Sequence, residues 1–531
     1  MRINSNIQAT FYAAARVVAR HPQLELAQIT SFGCGHDAVV SDELQRIVQA
    51  AGKQMLLLKL DESDVRGPLR IRILSFVDTV RQRRDKPLKP EACDRVAPAM
   101  FTAKDKQERT VFIPNLSVGF STMIGAVVEG RGFNIRVLPL ADDRAVELGK
   151  LYLHNDICFP AQINVGEFLR VMESEDLDPR KVSLGMHQNC KTCRAGQYAM
   201  ISRIALDAAG YAEIPIVTTG NELGDVHPAF KVDARMQRRI LYGLAVLDAL
   251  EDLRRSTRPY EFRAGDAEAE YAAALEALCQ TLPHSLSGVW ETLESAVVAF
   301  NRIPLKKGPR RPLVMVLGEI LLAVHPSANY NLERYLEKHG MEVLGTRLSD
   351  FFHCGFIRGR EEKSQYFEDK SFLLSLVNKL GDRMFERTRM TAEKIMAGYS
   401  RYRPRVSAHE LYEGVKPHID RIHLDGEGWL IPGEIMHAAS HGLHSFVVVQ
   451  PFGCMPNHIF GRGVIRMAKD VYPHIQIQSL DFDPDTSMGN IENRLQMLIM
   501  NARELEKLRL QSGGDLKVLR TSETKPSSVA G

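Results

Sequence analysis

Leu24–Gly52 reads Leu-Glu-Leu-Ala-Gln-Ile-Thr-Ser-Phe-Gly-Cys-Gly-His-Asp-Ala-Val-Val-Ser-Asp-Glu-Leu-Gln-Arg-Ile-Val-Gln-Ala-Ala-Gly. Its first part, Leu24–Ser31, is a short apolar run of strand type. Gly33 and Gly35 then flank Cys34 in a turn, and Ser41–Gly52 carries helical spacing with Gly52 as its stop. A second strand, Gln54–Leu60, and a helix over Pro68–Arg84 follow. This βαβα order predicts a parallel sheet covered by helices.

The same alternation recurs outward from this stretch. Strands are expected at Val111–Pro114, Phe133–Pro139, Lys181–Met186 and Ile214–Thr218. Helices are expected between them at Val118–Gly130, Asp142–Leu153, Pro160–Met172 and Arg194–Ala209. A further set follows, with strands at Leu313–Leu317, Met341–Thr346, Ser445–Gln450 and Ile475–Asp481. The expected fold class is therefore α/β, with several Rossmann- or flavodoxin-like parallel-sheet domains and a helical insertion. The expected organisation is an N-terminal α/β unit with its basic, Pro-rich linker over 1–98 and a second α/β unit over 99–231. A helical segment with connector spans 232–311, a third α/β unit 312–510, and a disordered tail 511–531.

Composition narrows the function classes. Hydrophobic residues make up 44% and charged residues 25% of the 531, as in ordinary soluble proteins. A net charge of +3 gives no reason to expect nucleic acid or a membrane surface as partner. The 8 cysteines are scattered, which argues against a secreted disulfide scaffold. No signal peptide and no transmembrane run are legible, so a cytoplasmic location is the expectation.

Four cysteines share one kind of setting. Cys34 lies in Ser-Phe-Gly-Cys-Gly, Cys158 in Asn-Asp-Ile-Cys-Phe-Pro, Cys193 in Lys-Thr-Cys-Arg-Ala and Cys454 in Pro-Phe-Gly-Cys-Met-Pro-Asn-His. Each is expected at a strand-to-helix turn, the edge of an α/β sheet where ligands gather. A helix N-terminus behind a thiol favours thiolate. Several such thiolates in one crevice suit an iron–sulfur cluster or a zinc ion, whereas the bland alternative for each is a buried structural cysteine. Cys190 and Cys193 have the Cys-x-x-Cys spacing, open to a redox pair or half of a zinc site. Cys93 and Cys279 lack a comparable setting and read as structural, and Cys354 is ambiguous. His437, His441 and His444 invite a zinc reading, but the helix carrying the first two is expected to end near Gly442. His409-Glu410 lacks the second histidine of a zinc-protease helix. No dinucleotide fingerprint, phosphate-binding loop or nucleophile elbow is present.

In order along nearly the whole chain, these motifs resemble the 2-hydroxyacyl-CoA dehydratase and activator family. The likeness is to the dehydratase-like C-terminal part of the long activator-type proteins. Residues 31–38, 155–161 and 193–198 carry it in the first half. In the second half it is carried by Gly-Glu-Ile-Leu-Leu-Ala-Val-His-Pro-Ser-Ala-Asn at 318–329, residues 450–458, and Asp-Phe-Asp-Pro at 481–484. The resemblance implies an oxygen-sensitive cluster, [4Fe-4S] or double-cubane, bound by cysteines. It implies a low-potential electron injected by an activator with an actin/Hsp70-type ATPase fold and its own iron–sulfur cluster. In the dehydratases that electron reaches the thioester carbonyl of a 2-hydroxyacyl-CoA, and the resulting ketyl radical expels the hydroxyl group. Double-cubane relatives reduce other small molecules.

The chain departs from the long relatives in two ways. It lacks recognisable activator ATPase segments, which points to a separate ATPase partner. It also carries Cys190-Lys-Thr-Cys193 where many relatives have a glycine run before one cysteine. The expected metal ligands are Cys34, Cys158, Cys193 and Cys454. Cys190, His36 and Glu319 are additional candidates, the last two for proton transfer or support of the ligands. The competing classes are a non-catalytic electron carrier or scaffold and a zinc protein.

Overall fold

A computed structural model describes residues 6–30, 36–60, 66–84, 86, 99–154, 157–186, 194–218, 227–365, 372–423 and 426–511. Among the described residues, ten strands form three sheets, and each of these sheets is parallel. Strands β1 (Leu26–Thr30) and β2 (Met55–Lys59) pair as the first sheet. The helix His36–Ala50 connects them, as its apolar spacing requires.

The second sheet contains β3 (Thr110–Ile113), β4 (Asn134–Val137), β5 (Val182–Met186) and β6 (Ile216–Thr218) in the order β4-β3-β5-β6. The third contains β7 (Leu313–Gly318), β8 (Glu342–Gly345), β9 (Ser445–Pro451) and β10 (Gln476–Phe482) in the order β10-β9-β7-β8. The two orders are equivalent. The chain steps from the first strand to one side, returns past it, and continues on the other side. That reversal defines a crevice outside the carboxyl ends of the first and third strands of each sheet, β3 with β5 and β7 with β9. This is the expected α/β architecture with Rossmann-like parallel sheets.

By packing, the chain forms two compact units. One comprises Met1–Asn115, Val128–Ala234 and the short stretch Pro451–Met455. The other comprises Leu116–Val127, Arg235–Gln450 and Pro456–Gly531. The first holds the β1 and β3 sheets. The second holds the helical segment, which resolves into helices Ala234–Thr257, Asp266–Thr281 and Gly288–Arg302, together with the β7 sheet.

In the first unit, Phe112, Leu184 and Ile216 of the second sheet are buried with Phe168, Leu169 and Met172 of the helix Phe159–Ser174. That helix meets the helix Asp143–Tyr152 almost backbone to backbone. A Cβ on Gly166 would lie 1.9 Å from the carbonyl oxygen of Ala145, so only glycine fits. Asp142 caps the shorter helix by accepting from the Ala145 amide at 2.8 Å, as the sequence predicts. In the second unit, Met315, Leu317, Phe446 and Val448 of the third sheet are buried against Ile431 and Ile435 of the helix Leu430–Ser440.

Among the described residues, six α-helices were not foreseen: Asn6–Arg20, Asp105–Glu108, Ile320–Val324, Leu348–Gln365, Ala408–Val415 and Met455–Asn457. The expected single helix at Arg194–Ala209 opens as a 3-10 turn, Arg194–Gln197, before Tyr198–Ala208. The expected tail lies outside the described residues apart from its first position, since the last helix runs to Gln511. Most of the predicted linker likewise lies outside them. No described helix is long and apolar enough to cross a membrane.

Candidate functional site

Cys34, Cys190 and Cys193, with Cys93, lie outside the described residues. Their described neighbours are informative. Cys34 falls between β1, which ends at Thr30, and the helix that opens at His36. His36 is thus a first-turn residue of that helix. Cys193 precedes the Arg194–Gln197 turn, against which the His36–Ala50 helix packs.

Cys158 is the residue before the first turn of the helix Phe159–Ser174, with φ −64° and ψ 146°, and no side chain caps that helix. Pro160 occupies the second helical position rather than the first, where its missing N–H still leaves no bond unmade. The thiol is partly buried, and its Sγ lies 3.2 Å from the hydroxyl of Tyr198, the first residue of the next helix. Cys454 follows β9 at a turn closed by its own amide donating to the Pro451 carbonyl at 3.1 Å, with Gly453 at φ +74°. It is buried, and its stretch belongs to the compact unit that contains Cys158. Further along the helix that Cys158 precedes, Glu167 accepts from the amides of Asn115 at 2.8 Å and Ala141 at 3.0 Å. This buried carboxylate ties together the loops leaving β3 and β4.

Glu319 sits at the carboxyl end of β7 and caps the short helix Ile320–Val324, accepting from the Leu322 amide at 2.9 Å. Glu427 accepts from the Ile320 amide at 2.9 Å and from the Asn457 side-chain amide at 2.8 Å. Two carboxyl groups therefore share one helix start. Glu319 keeps part of its surface exposed, but protein atoms crowd its carboxyl group. That desolvation pushes its pKa up to about 8, and the charge of Glu427 adds to the rise. Glu319 thus holds a proton in the folded protein where an unfolded chain has released it.

That retained proton contributes to the stability of the folded state. The contribution is complete below the ordinary carboxyl range and is lost as pH rises through about 8. Trp290 and Trp429, the two tryptophans of the chain, both lie in the second unit, so their fluorescence follows that unit alone. The urea midpoint read this way falls from pH 5 to pH 8. In Glu319→Gln, where the amide copies the neutral acid, it falls less. Equal slopes in the two proteins would contradict this assignment. Glu434, pushed up to about 8 by burial, adds the same sign to both proteins and cancels in the comparison.

One cluster escaped sequence reasoning. His353, Asp382 and His409 converge from three helices, Leu348–Gln365, Phe372–Met396 and Ala408–Val415. Nε2 of His353 and Nε2 of His409 stand 2.7 Å and 2.8 Å from the same Asp382 Oδ1. His353 stacks on Phe385, and Arg421 donates to Nδ1 of His409 at 2.5 Å. The two imidazoles hold the Asp382 carboxyl far below the usual carboxylate range. No spacing rule links three residues on three helices, and His409 had been noticed only for lacking a local partner. The foreseen trio does not form a comparable group. His437 and His441 lie 4.3 Å apart between ring centres, but His444 turns instead to His474.

Cys354, next to His353, is buried, and burial pushes its thiol up, away from thiolate. It therefore fits the structural reading. No protein-family model matches the chain, and the comparison with curated proteins finds no match.

Proposed function

We propose that this chain is an iron–sulfur protein of the 2-hydroxyacyl-CoA dehydratase and activator system. It takes part in ATP-driven, low-potential electron transfer to a CoA thioester or another small substrate. One observation carries the reading. Cys158 and Cys454, distant in sequence and each in a motif of the family, belong to one compact unit, which takes only the five residues Pro451–Met455 from the late part of the chain. The packing of the helix that follows Cys34 against the turn that follows Cys193 supports it.

The donor set fits the group. Soft thiolates are what iron–sulfur clusters take, and Cys158 stands before a helix N-terminus whose partial positive charge favours thiolate. Cys34, Cys158, Cys193 and Cys454 would hold the cluster, with Cys190 as a further candidate. When bound, the cluster supplies one-electron chemistry at low potential. The chain's own residues do the rest. Tyr198, 3.2 Å from the Cys158 sulfur, orients that ligand and tunes it by hydrogen bonding. Glu319 holds a proton in its crowded setting at the switch point of the third sheet.

In this reading the electron comes from a separate ATPase of the actin/Hsp70 type with its own cluster, as the family resemblance implies. The test is anaerobic reduction of this protein, followed spectroscopically, with and without that ATPase and ATP. Reduction that requires both is the expected result. Reduction by the isolated chain with ATP alone would contradict the division of labour. Partner-dependent reduction with no turnover of any 2-hydroxyacyl-CoA would make the chain an electron carrier.

A further inference from the structure

We infer that His353, Asp382 and His409 form a binding site for a divalent transition-metal ion of the zinc class, separate from the cysteine motifs and independent of the iron–sulfur reading. Two imidazoles and one carboxylate on rigid helices are a ligand set that zinc, iron(II) and cobalt(II) accept and that magnesium and calcium do not favour. His353 and Asp382 are buried and His409 is partly buried. The three ligand atoms lie within 4.8 Å of one another. Tetrahedral zinc holds its ligand atoms about 3.3 Å apart at bond lengths of roughly 2.0–2.1 Å. The two nitrogen-to-oxygen separations of 2.7 Å and 2.8 Å must therefore open by only about half an ångström, a side-chain adjustment.

The surroundings of His353 point the same way. Without an ion, the Nε2 hydrogen of His353 is directed at Asp382. An ion on Nε2 moves the ring proton to Nδ1. Nδ1 then faces Glu386 Oε1 at 3.8 Å, a buried oxygen that accepts no hydrogen bond. The other Glu386 oxygen is already held by Arg389 at 3.0 Å and 3.2 Å. A carboxylate waiting on the far nitrogen of a ligating histidine is the usual support of such sites, and it gives the unsatisfied oxygen a reason.

His409 carries the opposing feature. Arg421 donates to its Nδ1, so ligation through Nε2 requires the guanidinium to withdraw. Arg421 therefore weakens the site, and its removal is a direct test. A cleft of about 450 Å³, lined by Asp382, His409 and Glu386 with the cations Arg383, Arg387 and Lys394, adjoins the cluster. Water or a small anion from this cleft would complete the shell.

The experiment is calorimetric titration of the chelator-stripped full-length chain with zinc chloride, repeated with cobalt(II) chloride and read by visible absorption. Of the zinc that binds, one equivalent is expected to persist in Cys158→Ser and Cys454→Ser and to disappear in His409→Ala. Its cobalt spectrum should lack the sulfur charge-transfer band of thiolate sites. Arg421→Gln replaces a donor with an acceptor for Nδ1–H, and should tighten this equivalent by about tenfold, the scale of outer-shell effects. A gain of affinity does not arise from damage to the fold. Full retention of binding in His409→Ala would overturn the proposal, as would binding in Arg421→Gln no tighter than in the wild type.

Discussion

Replacing Cys158 or Cys454 by serine is expected to lower the iron and acid-labile sulfide of anaerobically prepared protein sharply, while Cys279→Ser should leave both unchanged. Serine nearly matches cysteine in size, so packing is conserved. Its oxygen is a much harder ligand, and soft thiolate is what holds iron–sulfur clusters. Cys158 precedes a helix and Cys454 closes a tight turn, both in the first unit, whereas Cys279 lies inside the helix Asp266–Thr281 of the second. Iron and sulfide determination beside circular dichroism separates loss of the cluster from loss of the fold. Equal iron in all three variants would remove these thiols from the account.

Gly318→Ala lowers the melting temperature of the second unit by roughly 6–12 °C, the consequence of a loss of about 3 kcal/mol. Gly318 ends β7 at φ +133°, a conformation that side chains resist. A Cβ there would sit 2.0 Å from the carbonyl oxygen of Val449 on the neighbouring strand β9. The clash is with backbone, so no rotamer relieves it. It also falls where the Glu319 amide donates to that same carbonyl at 2.9 Å, so the turn that sets Glu319 is disturbed as well. Tryptophan fluorescence measures this unit directly. Gly355→Ala is the control, because it lies in a helix with open space around its Cα and should stabilise by about 0.5–1 kcal/mol. A melting temperature for Gly318→Ala within 2 °C of wild type, by the scale of about 2–4 °C per kcal/mol, would show that this close approach is not needed.

The parallel sheets were legible because buried strands are short apolar runs and their connecting helices carry a different period. All ten strands fall within or beside the expected runs, including β9, whose Ser-Phe-Val-Val-Val-Gln-Pro is buried throughout. Boundaries drifted where local chemistry intervened. The helix expected from Arg194 begins as a 3-10 turn, and the helix Ile465–Val471 is preceded by a π-helical turn at His458–Arg462. The helix Ala408–Val415 was missed although Ser407 and Glu410 form a capping box, a signal that was present and unread. Glu319 was named from its motif, but its partner Glu427 had no local signature. The His353, Asp382 and His409 cluster was illegible for a simpler reason: it arises from packing of three helices, and sequence spacing carries no trace of it.

Everything proposed about electron transfer depends on the cysteine motifs holding iron. The most direct measurement is metal and acid-labile sulfide analysis of the full chain, expressed and purified without oxygen and then exposed to air. A brown protein with iron and sulfide in equal amounts, bleached by air, is the expected result. A colourless protein that carries zinc in its cysteine motifs and no sulfide, even after anaerobic reconstitution, would contradict the account.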